Sequence, residues 1–162
     1  MSLNKVDIKV NWMSPVRFPG SDVSKGPNLK AIDAALEAID DSPENWDQSD
    51  WATREYSMED KNNLPGIVVE PAPHCGTAMC LAGHVVTQAG YYLLFEDGFE
   101  TTATAVDSNG QRYFIDHLAQ SLLSLTRHQA EALFEYTNTR EGLQWVRDQI
   151  AQTALNASYP EV

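Results

Sequence analysis

Apolar residues recur at helical spacing in some stretches of this chain and at strand spacing in others. That change of period constrains the fold more than any other feature. Leu29, Ile32, Leu36 and Ile39 follow at steps of three and four, which predicts a helix over 29–41 with one apolar face. Asn28 precedes it, with a side chain able to accept from the free N–H groups of the first turn. Farther on, Thr126-Arg127-His128-Gln129 has the capping-box pattern, and Ala130, Leu133 and Phe134 supply the inner face of the helix it starts. Asn138 with Glu141 resembles a second such start, ahead of the stripe Leu143, Val146 and Ile150. Between these helices, Thr101–Val106 and Gln111–Ile115 flank Asp107-Ser108-Asn109-Gly110, and Asn-Gly between β-prone runs predicts a hairpin. Helix resumes from about Asp116. At the N-terminus Val6, Ile8, Val10 and Trp12 alternate with polar residues, the period of a half-buried strand over 5–12. The order predicts one α+β domain, mostly helical, with a small antiparallel sheet made by the 101–115 hairpin and strand 5–12.

At 162 residues and 18.0 kDa the chain has the size of a single domain. Pro15, Pro19, Gly20, Gly26 and Pro27 mark a long loop over 13–27. A second loop spans 57–73, where three prolines and Gly66 surround the short apolar run Ile67-Val68-Val69. Ser42-Pro43-Glu44 reads as another helix start and brings in Trp46 and Trp51 as core anchors. Residues 156–162 are expected to fray. A helix is predicted from about Cys75 to Ala89, with Gly90 as its left-handed stop. Gly76, Cys80, Gly83 and Thr87 would line one side of it with small residues, allowing close approach of another element.

The charge excludes several classes of function. Twenty-three acidic against eleven basic side chains give a net charge of −12. Direct nucleic-acid binding and attraction to an anionic membrane both need cations in excess. No apolar run reaches the ~20 residues of a membrane span and no signal peptide opens the sequence, so a cytoplasmic protein is expected. The acidity is densest over 28–70, which holds eleven acids and three bases. There Asp40, Asp41, Glu44 and Asp47 are the candidate binding residues for a basic partner. No phosphate-binding glycine loop and no cofactor motif is present, so no cofactor is expected.

Candidate chemistry is concentrated in His74-Cys75-Gly76-Thr77-Ala78-Met79-Cys80-Leu81-Ala82-Gly83-His84, which holds both cysteines and two of the four histidines. Cys80 and His84 would share a helical face and are the candidate metal ligands. Cys75 would lie about 140° around the helix from Cys80, so the four groups cannot surround one ion. A Cys75–Cys80 disulfide is also disfavoured, because Cα atoms five apart in a helix are separated by about 8.6 Å. Cys75 would open the helix, where a thiol is activated, and His117 beside Asp116 is the candidate base. The structural reading is that Cys80 packs in the small-residue seam with His84 at its edge.

Cys75-Gly76-Thr77-Ala78-Met79-Cys80-Leu81-Ala82, closing with Ala89-Gly90-Tyr91, is similar to the nucleophile helix of bacteriocin-processing papain-fold peptidases. That resemblance implies a cysteine hydrolase built on Cys75, His117 and Asp116. The oxyanion-hole glutamine of such enzymes has no counterpart shortly before Cys75, since Gln48 stands far upstream. A wider resemblance runs from the N-terminal helix through Pro43, Trp46 and Trp51 to Cys75-Gly76-Thr77-x-x-Cys80-Leu81-Ala82-Gly83 and Leu125-Thr126-x-x-Gln129-Ala130-x-x-Leu133-Phe134. It resembles a family of short, uncharacterised proteins of actinobacteria and their phages. That likeness implies a phage or prophage accessory gene acting in the host cytoplasm. The leading expectation is therefore a non-enzymatic acidic protein that binds a host or phage protein. The cysteine hydrolase is one alternative; a nucleic-acid mimic that inhibits a DNA-binding protein through rows of carboxylates is another.

Overall fold

The computed structural model describes residues 6–54, 66–69, 77–96 and 101–158. Within them, five helices and two small antiparallel sheets make an α+β fold. Helix α1 (Leu29–Asp41) starts as its cap dictates, with the Ala31 N–H donating to Asn28 Oδ1 at 3.1 Å. Its apolar stripe buries Ile32, Ala35, Leu36 and Ile39. Helices α2 (Leu81–Gln88) and α3 (Ile115–Leu123) pack against it and against each other. Helix α4 (Arg127–Leu133) opens on a complete capping box, with Gln129 N–H donating to Thr126 Oγ1 and Thr126 N–H donating to Gln129 Oε1.

Helix α5 (Arg140–Ser158) buries Leu143, Val146 and Ile150 as the spacing requires. Its start lies one residue later than expected. Thr139 Oγ1 accepts the Gly142 N–H at 3.0 Å, whereas Asn138 turns back and donates to Ala132 O at 2.8 Å, closing the C-terminus of α4. The helix runs on through 156–158, part of the segment expected to fray; 159–162 lie outside the described residues. Ser42-Pro43-Glu44 opens only a single 3-10 turn, Pro43–Asn45.

The strands are β1 (Ala52–Arg54), β2 (Gly66–Val69), β3 (Thr77–Met79), β4 (Tyr92–Glu96), β5 (Thr101–Thr102), β6 (Thr104–Val106) and β7 (Arg112–Phe114). They form one sheet in the order β3-β1-β5 and another in the order β2-β4-β6-β7. The β6–β7 hairpin turns at Asn109-Gly110, where Gly110 takes φ +83° and its N–H donates to Asp107 O. The run Thr101–Val106 does not act as one strand. Ala103 O accepts the Ile115 N–H at 2.8 Å, and the residues on either side of Ala103 join different sheets.

Alternation along the four-stranded sheet sends Val69, Leu93, Phe95 and Ala105 into the main core beneath the helices. Val68, Leu94 and Val106 face the other way, where Val6, Ile8 and Val10 cover them. The N-terminal segment therefore keeps its period of two without pairing as a ladder strand. It is tied by single bonds, Val6 N–H to Val68 O and Asn11 N–H to Gly110 O.

The helix expected from Cys75 begins instead at Leu81. Thr77, Ala78 and Met79 pair antiparallel with Arg54, Thr53 and Ala52, and this pairing overrides local helical tendency. Cys80 is the N-cap residue, its N–H held by Asp50 O at 3.0 Å. Gly83 serves the close approach expected of the small-residue stripe. A Cβ there would stand 2.6 Å from both Trp51 O and Met79 Cβ, so the first turn of α2 sits directly on β3 and on the residue that precedes β1. Gly83→Ala should therefore destabilise the protein by about 1–3 kcal/mol despite the ~1 kcal/mol helix-propensity gain of alanine. Chemical denaturation measures this, and an increased midpoint would contradict the close approach.

Candidate functional site

The side chain that joins the most elements at the head of α2 is Gln48, buried to 7% exposure. Its Oε1 accepts from Trp46 Nε1–H at 3.0 Å and from the Leu81 N–H, the first of α2, at 3.2 Å. Its Nε2 donates to Leu133 O at 3.4 Å and to Glu135 O at 3.2 Å, at the C-terminus of α4. One amide thus closes the start of one helix and the end of another. The carboxamide oxygen, not its N–H₂, faces Leu81, and both N–H₂ protons are engaged elsewhere. Gln48 consequently has no donor left for an oxyanion at this helix start.

Cys80 lies within this arrangement and is inert. It is 1% exposed, its S–H donates weakly to Trp51 O at 3.9 Å, and burial pushes its thiol up to about 12. His84 is buried one turn on, and its Nδ1–H donates to Cys80 O at 3.0 Å. The two candidate metal ligands are therefore joined through a backbone carbonyl. Among the described residues, no three His, Cys, Asp or Glu side chains gather closely enough to hold a metal ion.

His74 and Cys75 lie outside the described residues. Because α2 begins at Leu81, Cys75 does not stand at its N-terminus, which removes the activation inferred for it from a helix start. The proposed partners, Asp116 and His117, form the first turn of α3. Asp116 Oδ1 accepts the His117 N–H at 2.8 Å, while Oδ2 lies 3.4 Å from Arg127 Nη2 and 3.7 Å from His117 Nε2. The His117 ring stands edge-on to Phe18, centroids 4.9 Å apart.

The acidic candidates separate by environment. Asp40 makes a bidentate pair with Arg140, Nε–Oδ1 2.8 Å and Nη2–Oδ2 3.0 Å, and the hydrogen bond from Arg140 lowers its carboxyl below the usual range. Asp33 makes the matching pair with Arg147 at 2.7 and 2.8 Å. Both partners are seven residues apart along their own helices, so α1 and α5 run antiparallel with two arginines set between the acids of α1. That row is no longer a uniform array of carboxylates. Asp41 and Glu44 are exposed, and Asp47 is half-buried. Asp47 Oδ1 accepts the Ser49 N–H and hydroxyl, holding the turn that leads to Trp51.

A groove of about 530 Å³ opens between residues 48–51 and the end of α4. Trp51 and Phe134, both in its lining, meet edge-to-face with centroids 6.1 Å apart, and Tyr136, 68% exposed, lines it as well. Asp50, Glu131 and Glu135 supply its carboxylates and Arg127 its one cation. The sequence offered no signal for this groove. Trp51 and Phe134 read as core residues, and they stand 83 positions apart in the chain. No family model, curated protein or solved structure matches the chain.

Burial holds His84 below its ordinary value of 6.5, chiefly by desolvation and against the raising effect of the Cys80 carbonyl. A depressed pKa means that the unfolded chain takes up the proton first as pH falls. Stability contributed by neutral His84 is present above pH 6.5 and lost below it, by at most about 1.4 kcal/mol per pH unit, the limit for one proton. Asp40 acts in a separate window below 3.8. His84→Gln should flatten the stability profile as pH falls below 6.5. Equal slopes for the two proteins would contradict the assignment.

Proposed function

We propose that this chain is a non-enzymatic accessory protein, of the phage type its sequence resemblance implies, that binds a basic host or phage protein through its carboxylate surface. The observation that carries the reading is how the cations are used. Arg112 pairs with Glu96 and donates to Ser14 O; Arg127 pairs with Asp116 and Glu131; Arg140 pairs with Asp40; Arg147 pairs with Asp33. Each arginine from residue 112 onwards is engaged within the molecule. Glu37, Asp41, Asp47, Asp50, Glu135 and Glu141 make no ion pair among the described residues. Among the described charges outside ion pairs these carboxylates outnumber the cations, which supports steering of a positively charged protein.

Among the described residues no helix is long and apolar enough to cross a membrane. The buried thiol of Cys80 has no nucleophilic role in this reading. Asp40 belongs to the α1–α5 contact and not to the partner face, so Asp41, Glu44 and Glu141 are the residues to neutralise. The Asp41→Asn/Glu44→Gln/Glu141→Gln variant should fold normally and capture its partner from actinobacterial lysate several-fold less at low salt, where exposed charges act at longest range. Wild-type protein should lose the same partner at high salt. Equal capture by the variant, or capture by the wild type that survives high salt, would overturn the proposal.

A further inference from the structure

We infer that the groove between residues 48–51 and α4 receives a lysine- or arginine-bearing segment of the basic partner, its cation held by Asp50 and Glu135 beside the Trp51–Phe134–Tyr136 aromatic wall. This deepens the reading above and rests on it. Three features of the groove converge on a cation. The first is charge. Arg127 is the only cation lining it, and that guanidinium is engaged by Asp116, Glu131 and Gln120. Asp50 is half-buried and Glu135 accepts only the Thr137 hydroxyl, at 3.4 Å, so neither carboxylate has a charge partner among the described residues. A half-buried carboxylate such as Asp50 is stabilised when a cation joins it, and the exposed Glu135 adds a second negative charge.

The second feature is the aromatic wall. Aromatic ring faces attract cations, and the alkyl stem of lysine or arginine packs on the same rings. Tyr136 is exposed over 68% of its surface and lines the groove with half-buried Trp51 and buried Phe134, so an occupant gains apolar contact there at little ordering cost. The third is rigidity and size. Gln48 hydrogen-bonds one wall to the other, through Leu133 O and Glu135 O, so the site is formed in advance. At about 530 Å³ it accommodates one long side chain with its adjoining backbone. The net negative lining disfavours an acidic segment.

The test uses the full chain and two short synthetic peptides, one of lysine alternating with glycine and one with norleucine in place of each lysine. Binding is followed by the Trp51 indole N–H signal in NMR spectra, assigned with Trp51→Phe. The lysine peptide should shift that signal, bind more weakly as salt rises, and lose at least ~5-fold in affinity to Asp50→Asn/Glu135→Gln. Asp41→Asn/Glu44→Gln should change its affinity less than ~2-fold. Unaltered dispersion of the remaining amide signals verifies that each variant is folded. Undiminished binding by Asp50→Asn/Glu135→Gln, an unmoved Trp51 signal, or equal binding of the norleucine peptide would overturn the groove as a cation site. Loss of binding on neutralising Asp41 and Glu44 would overturn the groove while leaving the wider acidic surface in place. Failure of the lysine peptide to bind at all at low salt would remove both. A Trp51 shift that depends on protein concentration without peptide would assign the groove to a second copy of this chain.

Discussion

Four hydrogen bonds converge on the side chain of Gln48, and the head of α2, the tail of α4 and the 46–51 segment are held together through them. Helix ends carry backbone groups with no partner inside the helix, and leaving such groups dry costs about 1–3 kcal/mol each. At α2 the N-cap residue Cys80 makes no side-chain capping bond, so the Leu81 N–H relies on the Gln48 oxygen. At α4 the Leu133 carbonyl is shared between Gln48 and Asn138. The direction of Trp51, the floor on which Gly83 rests, and the two walls of the acidic groove all follow from where that amide sits.

Charge has two roles in this molecule, and they fall on different residues. Asp33 and Asp40 tie α1 to α5 through Arg147 and Arg140, with the forked geometry that suits guanidinium and carboxylate. These pairs are exposed, so their worth lies more in setting the register of the two helices than in stability. Asp41, Asp50, Glu135 and Glu141 have no such role and are left to act on the surroundings. A carboxylate cluster read from sequence mixes the two populations, and only the position of the arginines sorts them.

What was legible in the sequence was local. Asn28 and its target Ala31, Thr126 and its target Gln129, and the Asn109-Gly110 turn all lie within three or four positions of one another, where spacing alone sets the geometry. The inner stripes of α1 and α5 were readable for the same reason. The head of α2 was not. Thr77-Ala78-Met79 looks helical until Ala52–Arg54 arrives to pair with it. Gln48 reaches partners 33, 85 and 87 positions away, and a lone glutamine between two tryptophans carries no pattern that announces this. The groove inherits that distance. Trp51 and Phe134 looked like core because both pack into it as well as lining the groove.

If one buried amide fixes the meeting of α2, α4 and the 46–51 segment, Gln48→Met should lose much of the protein's stability. Methionine keeps the length and removes the amide, leaving the Trp46 indole and the Leu81 N–H without their acceptor and the Leu133 and Glu135 carbonyls with Asn138 alone. Denaturant unfolding should show a loss of more than about 2 kcal/mol with an unchanged m value, together with faster hydrogen exchange at the Leu81 amide. A loss below about 0.5 kcal/mol with Leu81 still protected would mean that packing alone holds the junction, and the account would be wrong.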